Sequence, residues 1–101
     1  MKRSLHLAML LAVSFAPMAR AATEADYKAA YAAAEAASRE AASMRNQWTT
    51  TVSTLATARK AGDGGDFDRA MAAAKEADAL AKASIVQATS EKEAWKAIEI
   101  R

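Results

Sequence analysis

Three aspartates and three glycines crowd into KAGDGGDFDRA, residues 60–70, in a chain otherwise dominated by alanine. Asp63, Asp66 and Asp68 form the grouping whose type and spacing come closest to an ion site. A calcium loop needs carboxylates at alternate positions and a bidentate glutamate at position 12. Counted from Asp63, that position is Ala74. A phosphate-binding loop fails as well, because no Gly-Lys-Ser or Gly-Lys-Thr follows. As a turn, the stretch makes sense residue by residue: glycines supply positive φ, and Asp66 caps the next helix.

Other catalytic groupings are scarce. The one histidine is His6, near the start, and there is no cysteine. Downstream of the leader described below, no Cys–His or Ser–His–Asp arrangement can be assembled. The common zinc, copper and haem sites lack their ligands, and covalent haem or an Fe–S cluster has no thiol to attach to. Carboxylate pairs such as Glu91/Glu93 and Asp66/Asp68 read as solvated charge. The expectation is a protein that is not an enzyme and holds no cofactor or metal.

The first twenty-one residues have the order of an export signal. MKR is a basic start, LHLAMLLAVSFA is an apolar run too short for a permanent membrane helix, and PMARAA offers small residues for processing. Ala19 and Ala21 satisfy the A-x-A rule, which places the cut after Ala21. The whole chain has 14 Lys and Arg against 12 Asp and Glu; removing Lys2, Arg3 and Arg20 leaves 11 bases against 12 acids. The basic balance thus belongs to the leader, and a nucleic-acid or anionic-membrane reading loses its support. A cleaved leader without a lipid-attachment cysteine indicates a periplasmic protein with no membrane anchor.

From Ala22 onward roughly a third of the residues are alanine, the strongest helix former. No proline follows Pro17, and the only glycines are Gly62, Gly64 and Gly65. The expected fold is therefore all-α: an antiparallel two-helix hairpin, an alanine-rich coiled coil. One helix spans about 24–61, a turn covers 62–66, and a second helix spans about 67–97. Thr23 and Asp26 suit a capping box at the start of the first helix, with Glu24 favourable at its positive end. Gly62 is expected to end that helix in the left-handed conformation.

Steps of four and three run through Tyr27, Tyr31, Ala34, Ser38 and Ala41 and continue to Trp48, Val52 and Leu55. The second helix repeats them through Ala70, Ala74, Ala77 and Ala81 to Trp95 and Ile98. A hairpin closing near residue 64 sets residue i roughly opposite 128 − i. Trp95 then falls against Ala33 and Ala34, and Leu55 against Ala73 and Ala74. Ion pairs are expected at Glu24–Lys28, Glu35–Arg39 and Asp78–Lys82. An alanine seam buries little apolar area, so self-association, or a gain of order on meeting a partner, is expected.

NQWTTTVST, residues 46–54, is the odd section of the first helix, because β-branched residues and hydroxyls lower helix propensity. Packing of Trp48, Val52 and Leu55 would hold it helical. Alternatively it forms a docking surface around Trp48, Thr49, Thr50 and Thr51, since tryptophan is a common interface anchor. Trp95, in EKEAWKAIEI, has the same two readings. The candidate partner-binding residues are Trp48, Thr49, Thr50 and Trp95.

The leader, then TEADYKAAYAAAEAA, AASMRNQW, GDFDRAMAAAKEADALAKASIVQA and EKEAW, make a pattern over residues 23–96 that resembles the SoxXA-binding (SoxK) family. Members of that family often carry charged residues after the tryptophan, where this chain has three threonines. The resemblance implies a non-catalytic periplasmic accessory subunit of the thiosulfate-oxidising system. Its partner would be the c-type cytochrome SoxXA, which joins thiosulfate to a cysteine of the SoxYZ carrier, and any haem would belong to that partner. Two other functions suit such helices: an alanine-zipper protein of the envelope forming homo-oligomeric rods, and a helical holdase.

Overall fold

The computed structural model describes residues 21–99; the expected leader, 1–21, lies outside them apart from Ala21. Those residues form three helices and no strand: α1 (Glu24–Ser43), α2 (Thr49–Asp63) and α3 (Phe67–Glu99). The all-α expectation holds. The single helix expected over about 24–61 is instead two helices, with a reversal at 44–48, and the two-helix hairpin is a three-helix arrangement.

The α1 start follows from its residues. Thr23 Oγ1 accepts from the Asp26 N–H at 3.1 Å, and the Thr23 N–H donates to Asp26 Oδ2 at 3.0 Å, a reciprocal capping box. At the other end, Arg45 takes φ 59°, the left-handed region that branched side chains avoid. The Arg45 N–H donates to the Ala42 carbonyl at 2.9 Å, and the Asn46 N–H to the Ala41 carbonyl at 3.0 Å. That bond pair is a Schellman motif, and it stops the helix. Side chains then hold the chain reversed. Asn46 Nδ2 donates to the Ser84 carbonyl at 2.7 Å and to Gln87 Oε1 at 3.2 Å. Gln47 Nε2 donates to Ser38 Oγ at 2.7 Å.

The second reversal repeats the pattern on glycine. The Gly65 N–H donates to the Gly62 carbonyl at 3.0 Å, and the Asp66 N–H to the Ala61 carbonyl at 2.9 Å, with Gly65 at φ 84°. Gly62, expected to take the left-handed position, lies within α2 and serves another purpose. A Cβ on it would fall 2.5 Å from the Tyr27 ring carbons. The missing side chain lets α2 and α1 approach there. Asp66 caps α3 as expected, Oδ1 accepting from the Arg69 N–H at 3.2 Å.

Because the chain turns at 44–48, α1 runs parallel to α3, and α2 runs antiparallel to both. The Ala22 N–H donates to Asp68 Oδ1 at 2.7 Å at one end, and Asn46 meets Ser84 at the other. Tyr27 stacks on Phe67 with ring centroids 6.2 Å apart, not on the far end of α3 as the hairpin register required. The register about residue 64 survives between α2 and α3, where Ala58 packs with Ala70, Ala73 and Ala74.

The core is made of small side chains. Ala34, Ala58, Ala70, Ala74, Ala77 and Ala81 are fully buried, and Tyr27 is the one large hydrophobic side chain buried among the described residues. Alanine stripes let the helix axes close in. Burial of the Tyr27 ring, with Tyr31 and Asp63 nearby, holds its phenol above the ordinary tyrosine range. Ser84 is buried with its hydroxyl bonded to the Ala81 carbonyl at 2.8 Å. Thr51 is buried too, but its Oγ1 finds no partner among the described residues. The ion pairs Glu24–Lys28, Glu35–Arg39 and Asp78–Lys82 are present at 3.3, 3.5 and 3.0 Å. Their basic ends lie in solvent, where such pairs are worth tenths of a kcal/mol, while the Asp78 side chain is mostly covered.

Candidate functional site

The α1 end and the overhang of α3 set the geometry. Asn46 grips α3 at Ser84 and Gln87, so the last 12 residues of the 33-residue helix α3 extend past the bundle. At 1.5 Å per residue that overhang is about 18 Å long. Among the described residues, none from Ile85 onward is fully buried. Trp95 is 67% and Ile98 61% exposed. The expected contact of Trp95 with Ala33 and Ala34 is therefore absent: α1 lies alongside the other part of α3, because the chain has already reversed. Trp95 instead lines a groove of about 450 Å³ with Met44, Arg45, Asn46 and Ala88, flanked by Glu91 and Lys92.

Trp48 sits in the reversal, with φ −80° and ψ 142°, as the residue before α2. Its backbone carbonyl accepts from the Thr51 and Val52 N–H groups at 3.1 and 3.3 Å. No side chain caps α2. The indole is half-buried, and Thr49 and Thr50 are exposed in the first turn of α2. Thr51 points inward, so it belongs to the core and not to a docking surface. The structure thus places Trp95 beside the turn that precedes Trp48, but Trp48, Thr49 and Thr50 do not line that groove.

A second groove, of about 610 Å³, runs between α1 and α2 on the side away from α3. Tyr31, Val52, Leu55 and Ala56 supply its apolar part, and its rim carries both signs of charge, Arg39, Arg59 and Lys60 with Glu35 and Asp63. Val52 is 48% exposed. The sequence signal for this groove was the pair Val52 and Leu55, three positions apart and larger than their neighbours. A continuous first helix turned both toward the seam with α3; the reversal turns them toward α1.

The acids of the 60–70 stretch have structural uses: Asp66 caps α3 and Asp68 accepts from Ala22. Among the described residues no three His, Cys, Asp or Glu side chains gather as metal ligands, and no helix is long and apolar enough to cross a membrane. What the two grooves can do is receive apolar side chains, an indole or an aliphatic group, against a charged rim. Comparison of the chain with known protein families, characterised proteins and solved structures gives no match.

Proposed function

We propose that this chain is a non-catalytic accessory subunit of the periplasm that docks on the c-type cytochrome SoxXA and promotes thiosulfate oxidation. The partner comes from the resemblance over residues 23–96. The observation that carries the docking role is the exposed indole of Trp95 on the α3 overhang, beside Met44 and the turn that leads to Trp48. An aromatic side chain held away from its own core by a rigid helix suits an interface anchor, since it is already ordered before the partner arrives. Thr49 and Thr50 add hydroxyls at the rim. Export with cleavage after Ala21 brings the chain to the compartment where that cytochrome works.

Co-elution with the purified cytochrome, together with a change in its thiosulfate-dependent turnover, is the test. Trp95→Ala is expected to weaken binding by more than about 1 kcal/mol, roughly fivefold. Trp48→Ala is expected to weaken it less, because part of that indole is covered by its own chain. Both variants should keep their circular-dichroism helicity. A chain that neither co-elutes nor alters turnover sinks the reading. The exported protein should begin at Ala22 by intact mass.

A further inference from the structure

The fully buried stripe of α3, Ala70, Ala74, Ala77, Ala81 and Ser84, continues at the same spacing into the overhang as Ala88, Glu91, Trp95 and Ile98. Inside the bundle this stripe faces α1 and α2. In the overhang it faces the same direction, and among the described residues only the 43–46 turn lies beside it, across the groove that Trp95 lines. The groove between α1 and α2 is the converse: an apolar channel on the side of the bundle away from α3. From these two features we infer that the protein forms a reciprocal dimer, in which the α3 overhang of each copy lies in the α1–α2 groove of the other.

A two-fold axis crossing the bundle at the level of the Asn46–Gln87 contact closes the pair. It sets the bundles end to end and side by side, with each overhang running along the other copy's α2. The contact is isologous, so it ends at two copies and leaves no open edge. Lengths match: the overhang is about 18 Å, and α2 from Thr49 to Arg59 is about 17 Å at the same rise. Counting outward from Gln87 on one copy and Gln47 on the other, Trp95 comes level with Leu55. Glu99 comes level with Arg59 and Lys60, opposite in charge. A fourth helix is thereby added to each three-helix bundle, and the bulkiest exposed side chains of α3 meet the bulkiest of α2. The dimer rests on this geometry and not on the cytochrome. Both would use Trp95, so a second copy and the cytochrome compete for it.

Sedimentation equilibrium of the purified protein, without cytochrome, tests the pairing. A monomer–dimer equilibrium is expected, with Trp95→Ala and Val52→Glu each weakening it by more than about tenfold. Val52 is half-exposed in the single copy, so its variant should fold, and circular dichroism checks that it does. A mixture of the two variants keeps one intact junction, the overhang of one chain in the groove of the other, and should form more dimer than either variant alone. A protein that stays monomeric up to about 1 mM overturns the inference. So does a dimer indifferent to either substitution, or a mixture with no gain. Failure here leaves the cytochrome reading to its own co-elution test.

Discussion

The chain reverses twice with the same hydrogen-bond pattern, once on Gly65 and once on Arg45. At Gly65 the turn is written into local chemistry. Glycine takes φ 84° without penalty, and Asp66 directly caps the next helix. At Arg45 local chemistry opposes the turn: a left-handed conformation in a non-glycine residue costs on the order of 1–2 kcal/mol. The helix that follows has no side-chain cap. What holds this reversal lies far away in sequence, chiefly the Asn46 amide on Ser84 and Gln87. Two turns of one geometry can thus differ in origin, one made by the residues in it and the other by what they touch.

Substitutions can separate the two. The largest effect is expected at Gly62→Ala, where the new methyl meets the Tyr27 ring; about 2–3 kcal/mol of stability should be lost in urea melts. Gly64→Ala is the control. Its nearest neighbours lie at an ordinary 3.6 Å, so the loss should stay within about 0.5 kcal/mol. Equal losses at both glycines would mean that Tyr27 does not pack there. Asn46→Ala should cost about 1–2 kcal/mol and leave the Gly65 turn intact by amide hydrogen exchange. Protection lost equally at both turns would deny the tertiary origin of the first. Smallest, and opposite in sign, are two gains. Arg45→Gly relieves the backbone and Thr51→Val removes a buried, unpartnered hydroxyl, each adding about 0.5–1 kcal/mol by the same melts.

The same contrast explains what could be read from residue types. Thr23 with Asp26, the glycine turn, the Asp66 cap and the alanine stripes were legible because each rests on neighbours within one turn of helix. The 44–48 reversal was not. Its sequence, MRNQW, contains neither glycine nor proline, and its partners lie outside it, Ser38 back in α1 and Ser84 and Gln87 far along the chain. A straight first helix sets α1 against the far part of α3 and Trp95 against Ala33 and Ala34, the packed one of its two readings; the structure leaves Trp95 exposed. The weak helix propensity of 46–54 was the trace of it. A straight helix held by packing of Trp48, Val52 and Leu55 accounts for the same residues, so the trace alone does not place a turn. Of the candidate residues, Trp95 is openly presented, Trp48 only partly. The α1–α2 groove shows in the sequence only as the pair Val52 and Leu55, which the reversal turns toward α1.

Ala22 touches Asp68 through its backbone nitrogen. In the uncut chain that nitrogen is a neutral amide. Export processing after Ala21 would convert it into the chain's terminal ammonium, and a plain hydrogen bond would become a clasp between opposite charges. The clasp would need both charges, so alkali strong enough to remove the amine's proton would slacken it. Maturation would then do more than discard an address label: the cut itself would tighten the fold.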